Sequence, residues 1–415
     1  MSFFQNILSS VMKSTRRLNR FGSKSFGKLH NDINEAVDSV MSTTGEVSSL
    51  VYSDHLLNLI ENQDDSNLNK FLKNLLSNYD IDTKKLTKDV KNYISEKNDE
   101  NLKKINISSE PKWVELFRRL NSTSNGTYRL VKLRERIRTL NDPELKNFDF
   151  GLLSLFKYWF NPSFLVLEKI DWETPANILE KIIEYEAVHE INSWDDLRAR
   201  LAPPDRQCFA FFHPLIPNDP LIFVEVALCN SIPESIQNII KIDRDEIVIE
   251  DANTAIFYSI SNCHNGLSGI SFGNFLIKRV ANNLKRELPA LNQFLTLSPM
   301  PGLMKWMKEY APITHEKCLD KNCSDEELMK ITIKYLTESN RDDGMPNDSV
   351  TRFHIGNGAS LERINLNADL SEKGLSQSCG VMANYLYDLD VVEENHELFF
   401  KNQIVQTSKQ IRTYK

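Results

Sequence analysis

"TAIFYSISNCHNGLSGISFGNFLIKRVANNLKRELPALNQFLTLSPMPG", residues 254–302, is the stretch on which the reading of the fold turns. It opens with a run rich in Ile, Phe and Tyr and passes through a glycine-bearing turn. Ile277, Val280, Ala281, Leu284 and Leu288 then recur at helical spacing until Pro289 halts the pattern. "LNQFLTLS" (291–298) is a second short apolar run bounded by Asn and Pro, as buried strands are. The order is therefore strand, glycine turn, helix, strand. Upstream, "PLIFVEVALC" (220–229) has the same strand texture.

Before residue 190 the texture differs. In "LNKFLKNLL" Leu68, Phe71, Leu72, Leu75 and Leu76 line one helical face, and "WVELFRRL", "GLLSLFKYWF" and "ANILEKIIEYEAV" repeat that spacing. Thr174 and Pro175 are expected to open the last of these as N-cap and first helical residue. The chain thus reads as α+β and multidomain, with an all-helical domain over 32–188 and a mixed domain over 189–415. Residues 314–350 read as helix plus loop, closing on an exposed linker, "RDDGMPNDS".

At 415 residues the chain is long enough for two or three cored domains. No run approaches the roughly 20 apolar residues of a membrane span, so no stable membrane insertion is expected. A net charge of -7 argues against a general nucleic-acid binder, which needs a basic surface to release counterions from phosphate. Six cysteines without CxxC pairing read as reduced and buried; His315, Cys318 and Cys323 offer three ligands where structural zinc takes four. Residues 1–31 reverse the charge, carrying Lys13, Arg16, Arg17, Arg20, Lys24 and Lys28 with no acidic residue, which reads as a mitochondrial transit peptide or a basic tail. The matrix is the expected compartment, with cytoplasm or peroxisome as alternatives, although the chain ends "RTYK" rather than in a peroxisomal SKL.

Several residues are able to carry chemistry. Gly266, Gly269 and Gly273 let backbone approach a bulky anion, and the following helix start attracts phosphate; an ordinary tight turn explains them equally well. Lys278, Arg279, Lys285 and Arg286 add charge nearby or form a solvated helix face. Ser298, just before Pro299, suits a helix N-cap, yet strand ends facing a cofactor are also where reactive groups sit. His354 precedes a Gly-Asn-Gly turn, and His213 lies in an apolar setting that would keep it neutral; each is either structural or an acid/base. Tyr387 in "SQSCGVMANYLYDL" supplies an uncharged donor or fills the core.

The stretches 161–201, 206–228, 254–302 and 353–389, taken in order, closely resemble the malonyl-CoA decarboxylase family over about residues 110 to 390. That resemblance implies an all-helical N-terminal domain followed by a GNAT-like acyl-CoA-binding α/β catalytic domain, and a carboxy-lyase acting on malonyl-CoA. It places Ser268, Gly269, Ile270, Ser271, Phe272, Gly273 and Asn274 in the CoA pyrophosphate loop. Ser298 of "LSPMPG" and His354 of "FHIGNGA" become the catalytic pair, Tyr387 of "MANYLY" lines their pocket, and His213 is associated with activity. Ser271 departs from the glutamate common in relatives, and the stretch between Ser298 and His354 is shorter than in animal members. No metal or organic cofactor is implied, and a homo-oligomer, a tetramer, is.

Such an enzyme must break a C–C bond, hold the electrons as a thioester enolate and protonate the carbon. Ser298 and Tyr387 are expected to hydrogen-bond the malonyl group while His354 donates a proton or activates the serine. A CoA-dependent acyltransferase and a non-catalytic acyl-CoA sensor are the competing readings.

Overall fold

A computed structural model describes residues 29–414, apart from the side chain of Asn274. The expected leader over 1–31 therefore lies, up to residue 28, outside the described residues. The chain divides into two compact units. The first runs to Val166 and adds Phe212–Asn218 and His264–Ile270; the second holds Leu167–Phe211, Asp219–Cys263 and the chain from Ser271 onward.

Eight α-helices build the first unit among the described residues: α1 (Ile33–Ser42), α2 (Glu46–Glu61), α3 (Asp65–Tyr79), α4 (Thr83–Ser95), α5 (Asp99–Ser108), α6 (Lys112–Asn121), α7 (Gly126–Leu140) and α8 (Lys146–Trp159). Their starts follow local chemistry. Asp32, Asp64, Asp82 and Asn98 each cap a helix by accepting from amides of its first turn. The expected stripe of α3 is buried at Leu68, Phe71, Leu72 and Leu75, each such side chain contributing about 1.5–3 kcal/mol. Trp113, Phe117 and Phe148 interlock between α6 and α8, with centroids 4.6–6.0 Å apart.

The second unit is built on an eight-stranded sheet. Its strands are β1 (Val166–Ile170), β2 (Arg206–Phe212), β3 (Ile222–Cys229), β4 (Thr254–Asn262), β5 (Gln293–Thr296), β6 (Ser298–Pro299), β7 (Ser360–Asn365) and β8 (Met382–Leu386). The order is β1-β2-β3-β4-β5-β8-β6, with β7 also on β8. Strand β1 falls inside a stretch whose spacing reads as helical; it is only five residues long, too short for periodicity to separate the two states. Two helices follow it, α9 (Ala176–Tyr185) and α10 (Trp194–Leu201). Pro175 itself caps α9, while Thr174 turns back to bond Asp171, one residue from the expected boundary.

Strands β4 and β5 run parallel, joined by α12 (Gly273–Glu287), which follows the short α11 (Gln237–Ile240). The pairs β2–β3, β3–β4, β5–β8, β6–β8 and β7–β8 are antiparallel. Pairing between β4 and β5 reaches Phe257 and Leu297 and then stops, although β4 stays on β3 to Asn262. A bulge at Tyr258 interrupts the β3 register there. The strands thus part over the last residues of β4, within a mixed α/β domain. Leu295 and Leu297 enter a core with Ile256, Tyr258 and Met382, so alternation sends Thr296 and Ser298 to the other side of the strand.

Candidate active site

Ser298 does no capping. It pairs with Ala383 of β8, and the next helix, α13 (Leu303–Tyr310), starts after Gly302 without a side-chain cap. After α14 (Pro312–Leu319) and α15 (Asp325–Thr337) the chain enters α16 (Ser349–Gly356), which carries His354. Asp348 fixes the start of α16 by accepting from the Thr351 amide at 2.7 Å. One turn later His354 faces Ser298, its Nε2 3.0 Å from the Ser298 Oγ. Its Nδ1 lies 2.9 Å from the hydroxyl of Tyr387, just beyond the end of β8. All three side chains are at most 5% exposed.

The hydrogen-bond directions follow from the proton count. The Ser298 hydroxyl donates to Thr296 Oγ1 at 2.8 Å, so it meets His354 as an acceptor. A neutral imidazole has one N–H. That proton therefore sits on Nε2, and Nδ1 accepts from Tyr387. Burial alone holds His354 down to about 3, which keeps it neutral throughout the physiological range. Burial likewise raises the Tyr387 hydroxyl, keeping it protonated. The Tyr385 ring stacks on the imidazole at 4.6 Å and its hydroxyl reaches Thr351 at 2.8 Å. A buried hydroxyl–imidazole–hydroxyl chain results, without formal charge.

Thr296, Thr351 and Tyr385 escaped the sequence reading. Each stands two residues along a strand, or one helical turn, from a residue it did find, so i,i+2 and i,i+3 spacing was the available signal. His213 is placed in the first unit. Its Nδ1 accepts from the Leu215 amide and its Nε2 meets the Trp159 carbonyl at 3.0 Å, so both nitrogens are engaged by backbone. Burial lowers its pKa, with the Trp159 carbonyl opposing.

Of the loop expected to hold pyrophosphate, Ser268 to Ile270 belong to the first unit and Ser271 to Asn274 to the second. In the first, buried Arg134 donates to the carbonyls of Gly266 and Ser268 at 2.6 and 2.9 Å while paired with Asp149. Of the three glycines only Gly269 has positive φ, at +92°. In the second unit, Ser271 and Phe272 lead into α12, whose N-terminus has no side-chain cap. A Cβ on Gly273 would lie 2.2 Å from the Phe353 ring, so this glycine lets the helix start rest on the residue preceding His354. Only glycine fits that approach.

Known proteins share this architecture. The profile for the malonyl-CoA decarboxylase N-terminal domain matches residues 79–160, and that for the C-terminal domain matches 163–330 and 311–414. The mitochondrial malonyl-CoA decarboxylase of Anser anser anser is 34% identical over 353 residues, 73% of this chain and 69% of that protein. Its counterpart in Rattus norvegicus is 34% identical over 350 residues, 72% and 70% respectively. Crystal structures of malonyl-CoA decarboxylase from Agrobacterium vitis (40% identity, TM-score 0.88, 92% of this chain and 99% of that one) and Rhodopseudomonas palustris (41%, 0.86, 92% and 98%) superpose on both units. Matched along most of its length by sequence and by structure, the chain belongs to the malonyl-CoA decarboxylase family.

Proposed function

We propose that this chain converts malonyl-CoA to acetyl-CoA and CO2 at Ser298, His354 and Tyr387. The observation that carries the proposal is the buried chain linking Ser298 Oγ, His354 Nε2, His354 Nδ1 and Tyr387 OH at 3.0 and 2.9 Å. Burial is the only influence shifting His354, with no neighbouring charge adding to it. A carboxylate brought beside such a cluster is poorly solvated and leaves favourably as neutral CO2. Substrate turns the Ser298 hydroxyl from Thr296 and the Tyr387 hydroxyl from His354, so that both donate to the malonyl thioester as the C–C bonding pair moves to its oxygen. As CO2 leaves, the Ser298 proton passes to the α-carbon, Ser298 regains one from His354 Nε2, and His354 Nδ1 takes the Tyr387 proton, which solvent then replaces.

Residues Ser268 to Asn274 are assigned to the CoA pyrophosphate. The uncapped start of the 15-residue helix α12 supports this, since its free amides and dipole favour an anion. His213 is left outside the reaction because both its nitrogens are spent on backbone. The acid-free leader and the mitochondrial relatives support the matrix, and a tetramer belongs to the same reading; cell fractionation and light scattering check them.

The test is malonyl-CoA alone with purified protein. Stoichiometric acetyl-CoA and CO2 support the lyase; loss of thioester only with added amine would mean a transferase, and binding without turnover a sensor. His354→Asn should lower kcat by about 10²- to 10⁴-fold while CoA-ester affinity stays within about threefold. Near-normal turnover would remove His354 from the chemistry.

A further inference from the structure

One buried donor beside the site has no partner at ordinary hydrogen-bond distance. Asn357, the residue after α16, is 6% exposed, and its Nδ2 makes no such bond. The Tyr387 hydroxyl is the group its side chain approaches as a donor, which favours the ionised form of the tyrosine against the larger effect of burial. It thus sits where the hydrogen-bonded chain ends.

Its position is fixed. The Asn357 backbone N–H bonds the carbonyls of Phe353 and His354, and the amides of Gly358 and Ala359 return to Ile355 and His354. Gly358 has φ +88°, and a Cβ there would lie 1.9 Å from the Val392 carbonyl. From α18 (Val392–Asn402), which follows α17 (Glu372–Ser378), His396 bonds the Gly356 carbonyl at 2.6 Å and Asn395 the Gly358 carbonyl at 3.3 Å. The turn is held from both sides, so the side chain is not a fraying helix end. An unsatisfied buried donor is costly. A preorganised one is what a developing oxyanion requires.

We propose that Asn357 is a further catalytic residue, whose Nδ2–H donates to the thioester oxygen as it becomes an enolate. The inference rests on the decarboxylase reading of the same site. The thioester oxygen is favoured over the departing carboxylate for an energetic reason. A donor to the carboxylate would stabilise the ground state, whereas one to the thioester oxygen strengthens as charge arrives there. The balance is simple: the C–C bond breaks, its electron pair rests on oxygen, CO2 leaves, and a proton added at carbon restores the carbonyl.

Two reactions test it. The first is decarboxylation of malonyl-CoA; the second is exchange of acetyl-CoA methyl protons with D2O, which passes through the same enolate without a carboxylate. Asn357→Asp keeps the shape but removes the donor, and Asn357→Ala removes both. Each variant should lose about 10²- to 10³-fold in kcat and a similar factor in exchange, with acetyl-CoA affinity within about threefold and thermal unfolding still cooperative. Normal kcat in Asn357→Asp would overturn the proposal. So would loss of decarboxylation with normal exchange, which would assign the amide to the carboxylate. If Asn357→Ala fails to fold, Asn357→Asp decides alone. Wild-type protein inert toward malonyl-CoA would defeat the decarboxylase reading itself, a different result from an active wild type with an active variant.

Discussion

The second unit buries two polar clusters that solve burial in opposite ways. Around Ser298, hydroxyls and one imidazole form a chain with no net charge. Around Glu186, carboxyl groups and a guanidinium are held in place by buried hydrogen bonds. The Glu186 carboxylate takes the amides of Val188 and His189 at 2.8 Å and the hydroxyl of Ser259 at 2.7–2.8 Å. Arg200 bridges to Glu225 at 3.0 Å and to the Glu190 carbonyl. Burial pushes Glu225 up to about 8, with Arg200 opposing. The Val188 and His189 amides, the Ser259 hydroxyl and Arg200 are spent on holding the chain together. The neutral cluster keeps hydroxyls that can rotate and a proton that can move. A charged cluster resists change because breaking any part strands a charge; a neutral one exchanges partners at little expense.

The largest effect is expected where several buried donors lose one shared acceptor. Glu186→Ala leaves the Val188 and His189 amides and the Ser259 hydroxyl without it and should destabilise the protein by about 3 kcal/mol or more, read as a lowered denaturant midpoint, with kcat of the folded fraction within about threefold. A small stability change would break the contrast. Next is Ser298→Ala, which should lower kcat by about 10²-fold or more and, by leaving the His354 N–H without its acceptor, cost about 1–3 kcal/mol of stability. A large loss of stability there would make the serine structural.

The smallest effect is in pH. Glu225 holds its proton more tightly folded than unfolded, where its value is near 4.5. Its contribution is full below that value and is lost as pH rises through about 8. Between pH 6.5 and 8 stability should fall by up to about 1.4 kcal/mol per pH unit, and Glu225→Gln should flatten that slope. Turnover should not follow. His354 is neutral down to about 3, so kcat between pH 5.5 and 8 should show no inflection near 6.5 in either protein. An imidazole inflection there would mean that the ring is solvated.

Much of this was legible along the chain. The strand–turn–helix–strand order of 254–302, the helical stripes before residue 160 and the partition into helical and mixed regions are local patterns, written at periods of 2 and 3.6. Ser298, His354 and Tyr387 could be singled out because each stands in a recognisable motif. The glycines are harder to read. Gly273 reads as admitting an anion or as an ordinary tight turn, and its missing Cβ also makes room for the Phe353 ring.

Read alone, the chain disclosed the helical stripes, the strands at 222–229, 254–262 and 293–296, and the residue types able to carry proton chemistry, because periodicity and capping act over a few residues. Only the tertiary structure decided what those residues are. Ser298 lies 56 positions from His354, and Tyr387 a further 33. Sheet register brings Ser298 opposite Ala383 and so sets β6 against the strand that ends before Tyr387, while the cap at Asp348 sets the phase of α16. Burial then strips the imidazole of its charge. Hydrogen-bond direction and desolvation depend on neighbours distant in the chain, which no local pattern records.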